Sequence, residues 1–237
     1  RLSVRNELQE LVKKEKELTN DRMLPNTIAI FPLFYSGDNP RYKPLGKGMS
    51  EMLTTDLGVV PELQLLERIH LQVLLDELQL TGSNLVDPAS APRWGKLLAA
   101  GKIISGFYTV AEDKRLNMDV VTLDAAKGEI QAALNEKDVL DNFFKLEKSL
   151  VFSLIAEFDI ELTNEQREKI ERIPTKNLQA FLAYCRGLEA EDAGNFKDAV
   201  KFHQKAVDID PGFGQTILYD CCPSCQPEKL VSKIVFA

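Results

Sequence analysis

From Thr27 to Pro32 the chain reads Thr-Ile-Ala-Ile-Phe-Pro, an apolar, β-branched run that predicts a short strand covered on both faces. The turn formers Ser36-Gly37-Asp38-Asn39-Pro40 follow it. The period then changes: Leu45, Met49, Met52, Leu53 and Leu57 recur at helical spacing, which predicts a one-faced helix over 45–57. Leu63 to Leu66 reads as the next strand, and a strand-helix-strand order predicts a parallel pair with a right-handed crossover. Helical spacing returns in Ile69, Val73, Leu74, Leu78 and Leu80, stopped by Thr81-Gly82-Ser83-Asn84. Asp87-Pro88 opens a further helix over 89–99, stopped by Gly101. Three stretches, 102–109, 116–123 and 129–135, are separated by short polar turns and predict an antiparallel meander. Residues 139–158 offer Leu140, Phe143, Phe144, Leu146, Leu150 and Val151 for burial, so a long helix should cover one sheet face. The fold class is therefore α/β, a mixed sheet with flanking helices over residues 23–160, followed by a C-terminal helical hairpin.

The flanking segments are simpler. Residues 1–22 have Leu8, Leu11, Val12 and Leu18 on one side and Glu/Lys pairs elsewhere. An N-terminal helical arm lying on the domain is favoured over a short coiled coil joining protomers, which usually needs more heptads. Residues 161–178 read as a helical connector with a capping start at Thr163, Glu165 and Gln166, ending towards Pro174. Residues 214–237 form a tail that contains Cys221, Cys222 and Cys225.

Residues 179–213 hold a recognisable unit. Gly187, Gly194, Phe196, Ala199, Ala206 and Pro211 stand at the spacing of the tetratricopeptide motif, so the segment resembles one such repeat. Small residues would let two antiparallel helices approach, Phe196 would fill between them, and Pro211 would end the second. Arg186 and His203 stand where the motif prefers apolar or aromatic residues. One repeat cannot bury its own face, so it must pack on the α/β domain, on another chain or on further repeats.

Five phrases in order carry a second resemblance: TIAIFPL, PLGKGMSEMLTTDL, LQLLERIHLQVLLDELQL, KLLAAGKIISGFYTV and LNMDVVTLDAAKGEI. Over residues 25–135 they resemble the curli-assembly lipoprotein (CsgG-like) family and the related TolB-like amino-terminal domain. The resemblance implies a bacterial envelope protein, in the periplasm or on the periplasmic side of the outer membrane, working in assembly or secretion without catalysis. It implies protein partners in the envelope, homo-oligomers among them, and membrane association through a lipid anchor or a partner. Pore-forming members insert long hairpins whose strands each need about 9–11 residues. Here the connections at 111–114 and 124–128 leave no room for them, so the pore function is not carried over. A sensory or regulatory ligand-binding module of TolB-like type is the alternative expectation. A polar-lined pocket at the Ser36–Lys47 loop would favour it.

Composition narrows the function further. With 29 basic and 36 acidic residues the net charge is −7, which argues against a nucleic-acid partner or an anionic membrane surface. No apolar run approaches the roughly 20 residues of a spanning helix. The absence of an initiating Met and of a signal-peptide core leads us to expect a processed or trimmed product.

Each chemical motif has a plainer reading. Gly46-Lys47-Gly48 lacks the Ser/Thr and the first Gly of a phosphate loop, since Arg41 stands where that Gly belongs. Glycines for close approach at a helix start are the expected role, with Lys47 retained as a contact residue. Cys221, Cys222 and Cys225 lack the second ligand pair of a zinc site and the strand-to-helix setting of a redox motif. In an oxidising envelope a disulfide within that cluster or to Cys185 is expected. His70 has no titratable partner at catalytic spacing, Glu112 and Asp113 sit in a turn, and Trp94 with Arg93 should anchor a helix. No nucleophile, base and orienting residue come together, so no enzyme, no cofactor and no metal are expected. The residues expected to meet a partner are Phe196, Phe202 and His203 on the hairpin, with Lys47.

Overall fold

Alternation along the first strand sets the layering. The computed structural model describes residues 2–78 and 87–213. In it β1 (Leu24–Ile30) sends Ile28 and Ile30 into one core, while Ala29 and then Phe31 enter the other. Strands β2 (Phe34–Tyr35), β3 (Gln64–Leu65), β4 (Ala100–Val110), β5 (Arg115–Asp124) and β6 (Glu129–Val139) complete a mixed sheet in the order β3-β1-β4-β5-β6. β1 is parallel to β3 and β4, and β4, β5 and β6 run antiparallel as the meander predicted. The β4–β5 and β5–β6 connections are the short turns 111–114 and 125–128, where Lys114 and Gly128 take positive φ.

Helices cover both faces. On one side α2 (Leu45–Leu57), α5 (Phe143–Glu157) and, outside them, α7 (Leu178–Asp192) close a core with Ile30, Ile104, Tyr108 and Met118. On the other, α1 (Leu2–Lys13), α3 (Arg68–Leu78) and α4 (Ala91–Leu98) enclose Leu8, Phe31, Leu74, Trp94 and Ile103. Arg93 stacks over Trp94 at 4.8 Å and donates to Glu15, holding α4 against the segment after α1. A short helix, α6 (Asn164–Ile170), opens with the predicted capping box: Thr163 Oγ1 accepts from Gln166 N–H at 3.2 Å and Gln166 Oε1 from Thr163 N–H at 2.8 Å. α8 (Phe196–Ile209) folds back on α7.

Three of the boundary differences from the sequence reading have a visible physical cause. The first strand begins at Leu24, breaks at Pro32 and resumes as β2 against Phe107 and Tyr108, because Leu33 turns its N–H to the Gly46 carbonyl. The last strand runs on to Val139, and α5 starts only at Phe143. β6 is an edge strand, so Glu136, Lys137 and Asp138 can lie in it with their charges in water. Finally, α4 is stopped by Ala99 in the left-handed conformation, while Gly101 belongs to β4. A Cβ on Gly101 would stand 2.6 Å from the Leu24 carbonyl oxygen, so that glycine serves the close approach of β4 to β1. Leu80 and the stop at 81–84 lie outside the described residues, as does the tail.

Tyr108 ties the loop before α2 to the sheet. Its buried hydroxyl faces the carbonyls of Tyr42 and Lys43, both at 2.8 Å, and accepts from Gly46 N–H at 3.0 Å. Burial raises its pKa, so it stays a donor. Tyr108→Phe should cost about 1–2 kcal/mol in denaturant unfolding, because the groups left behind are buried.

Candidate functional site

A polar and aromatic seam forms where the helical hairpin docks on the α/β layers. Two glycines allow the docking. A Cβ on Gly48 would lie 2.7 Å from Phe181 Cζ and closer still to Cys185 Sγ, so α2 and α7 can touch only without it. A Cβ on Gly46 would overlap the Leu33 carbonyl oxygen. The glycines around Lys47 thus serve close approach, and the Gly46 N–H is already committed to Tyr108. The hairpin meets the main core through Phe181, whose ring centroid lies 5.4 Å from those of Phe143 and Phe144 on α5.

A network of charges locks the same seam. Asp192, at the end of α7, accepts from Lys47 Nζ at 2.6 Å and from Arg68 Nη1. Arg68 also donates to Glu191 at 3.0 Å and lies 3.4 Å from Glu51, while His203 Nε2 lies 2.9 Å from Glu191. Lys47 further donates to Gln72 of α3 at 3.2 Å. Polar and charged groups from α2, α3, α7 and α8 therefore converge on one seam. Burial would lower the Arg68 pKa, but Asp192, Glu51 and Glu191 together hold it above its ordinary value. Burial pushes Glu51 up, whereas His203 and Arg68 outweigh burial at Glu191 and hold it down.

Inside the hairpin, Gly187 sits under the His203 ring, which a Cβ would strike. His203 also packs against Tyr184, with ring centroids 5.5 Å apart, and Ala199 and Ala206 are buried. Gly194, with φ +73°, makes the turn between the helices, and Asn195 caps α8 by accepting from Asp198 N–H. Phe196 does not fill between the helices as its motif position predicts. At the first position of α8 it is 52% exposed, and the space between the helices is taken by Tyr184 and His203. α8 ends before Asp210, and Pro211 opens another helical turn that carries buried Phe213 onto Phe181 and Tyr184.

The residues singled out from sequence thus meet different fates. Phe196 is open, Phe202 is partly exposed, His203 is engaged by Glu191, and Lys47 spends its charge on Asp192. Cys185 is a free, fully buried thiol at the α2–α7 seam, and burial raises its pKa, which keeps it unreactive. Cys221, Cys222 and Cys225 lie outside the described residues.

Two features escaped the sequence reading. The first is a buried triad between α2 and α5, where Lys148 of α5 pairs with Asp56 of α2 and lies 3.4 Å from Glu147. Glu147 is 1% exposed. Burial, then the Asp56 charge, raises its pKa well above the ordinary range. The second is a cavity of about 230 Å³ between the 40–42 turn and the hairpin, walled by Arg41, Gln179, Arg186 and Lys205 over Leu182 and Ile209. Among the described residues no group of His, Cys, Asp and Glu could hold a metal, and no helix is long and apolar enough to cross a membrane.

The family model for the curli production assembly/transport component CsgG matches residues 26–114, from β1 to the turn after β4. That match supports a CsgG-like character for the α/β layers over those residues. No curated protein matches the chain in sequence. Among solved structures, lipoprotein GNA1162 from Neisseria meningitidis is similar at 10% identity, with 59% of this chain and 100% of that one covered and a TM-score of 0.44. The LpoB C-terminal domain from Salmonella enterica is similar at 13% identity over 56% of this chain and 95% of that one, with a TM-score of 0.39. TolB from Acinetobacter baumannii, also at 13% identity, covers 57% of this chain and 28% of its own, with a TM-score of 0.39.

Proposed function

We propose that this chain is a non-catalytic protein of the bacterial cell envelope that acts as an adaptor or scaffold in assembly or export. The observation that carries the reading is the match of residues 26–114 to an assembly and transport component. The placement of the hairpin supports it: α7 and α8 are fixed to the α/β layers by buried aromatics and charges, which makes the outer face a rigid platform. The hairpin is read as a single tetratricopeptide-like repeat that finds its packing partner within its own chain. The four-residue turns flanking β5 support a role without pore-forming hairpins. The protein works in the periplasm or on the periplasmic face of the outer membrane, held there by a lipid anchor or a partner. Its contact surfaces are the hairpin around Phe196 and the free edge of β6, where Ile130 and Val139 are exposed.

Photo-crosslinking in the native host tests this. A benzophenone amino acid replacing Phe196 should yield a discrete adduct with an envelope protein, and one replacing exposed Lys13 on α1 should not. Phe196→Asp should leave stability within about 0.5 kcal/mol of the parent while weakening recovery of that partner by the full chain. Equal labelling at both positions, or none at Phe196, would remove the hairpin from the contact surface.

The cavity beside Arg41 favours a second reading, a sensory or regulatory module that binds a ligand at the junction of loop and hairpin.

A further inference from the structure

The cavity has a chemistry of its own. Gln179, Leu182 and Arg186 follow one face of α7 at helical spacing, Lys205 and Ile209 follow one face of α8, and Arg41 closes the third side from the 40–42 turn. Its lining contains three cations and no carboxylate, in a chain whose net charge is −7. No ion pair joins Arg41, Arg186 or Lys205 to a described carboxylate, although ion pairs fix Lys47 and Arg68 to the far end of α7. Glu189, on the next turn of α7, feels the Arg186 charge but does not line the cavity. Gln179 Oε1 accepts from Arg41 Nη2 at 2.5 Å, which aims the guanidinium and leaves the Gln179 amide N–H groups as donors. Like charges gathered around one concavity repel each other unless an anion sits among them.

We propose that this cavity is a binding site for a small organic anion, a carboxylate or phosphate group carried on a short aliphatic body. Arg186, Lys205 and Arg41 supply charge-assisted hydrogen bonds to the oxygens, and Gln179 adds a neutral donor. Leu182 and Ile209 give the aliphatic part an apolar floor. The proposal needs only the cavity and stands whether or not the adaptor reading does.

Chemical-shift titration of the labelled full chain tests it, with inorganic phosphate, glutarate and the uncharged diamide of glutarate as probes. Saturable shifts confined to residues around 179–186 and 205–209 are expected with phosphate, with glutarate or with both, and none with the diamide. A response to phosphate alone would assign a phosphoryl ligand, and a response to glutarate alone a carboxylate. Arg186→Ala and Lys205→Ala should each weaken binding about tenfold or more, and Lys201→Ala, on the outer face, should not. Arg41→Ala, on an exposed turn, gives the same test should a helix variant fold poorly. Failure of both anions to saturate, equal shifts with the diamide, or unchanged binding in Arg41→Ala and Lys205→Ala would overturn the assignment.

Discussion

Lys148→Met should destabilise the folded chain by about 3–5 kcal/mol, the usual cost of removing one partner from a buried charge group. Methionine fills a similar volume, so the loss is electrostatic. Lys148 reaches both Asp56 and Glu147 from the middle of α5, where the flanking residues Phe144, Leu146, Leu150 and Val151 are all buried. Without the cation, the Asp56 carboxylate stays beside Glu147 in a site where both are less than a tenth exposed. Glu147→Gln should do the opposite, and its effect depends on pH. Burial, and then Asp56, raises the Glu147 pKa above its ordinary 4.5. A carboxyl raised in this way contributes its full stability below the unfolded value and loses it as pH climbs towards the folded value. The introduced amide cannot ionise, so the variant should gain on the parent as pH rises above about 4.5 and show little difference below it. Urea unfolding at a series of pH values reads both variants. A Lys148→Met chain as stable as the parent would show that the triad is not buried as described.

Asp192→Ala carries the second large effect, about 2–4 kcal/mol, or a melting temperature lower by roughly 5–15 °C. Its side chain is 5% exposed and holds both Lys47 and Arg68. Their own side chains are about a quarter exposed, and Arg68 keeps Glu51 and Glu191, so the cost stays below that at Lys148. The damage should be local. Amides of α7 and α8 should exchange with solvent faster, because the variant weakens the seam while leaving the sheet intact. Thermal melting together with residue-resolved hydrogen exchange separates this from a uniform loss.

The sheet was legible because its strands carry their own periods. The uninterrupted run at 27–31 marks a strand covered on both faces, and the polar turns at 111–114 and 124–128 mark the meander. The end of β6 was not, since Glu136-Lys137-Asp138 looks like a break until the strand is known to lie at an edge with one partner. The hairpin's small residues were legible as helix contacts, and Gly187 under His203 shows why. Phe196 was misplaced because its motif position predicts an interior ring, whereas in this chain Tyr184 and His203 occupy the space. The docking network left no local trace, for Lys47 and Asp192 stand 145 residues apart in sequence. The triad did leave one. Glu147 and Lys148 stand among the core positions Phe143, Phe144, Leu146, Leu150 and Val151 of α5, and Asp56 sits between Leu53 and Leu57 on the buried face of α2. Half of the basic cavity was equally visible as the spacing of Gln179, Leu182 and Arg186, but only the tertiary fold brings Arg41 to it.

The central claim is that the hairpin and the α/β layers form one cooperative unit and so present a rigid platform. Native-state hydrogen exchange on the full chain tests it most directly. The slowest amides of α7 and α8 should open with a free energy within about 1 kcal/mol of the slowest amides of β4. A hairpin that opens several kcal/mol more easily, while β4 stays protected, would show that it is a loosely tethered appendage and would contradict the account.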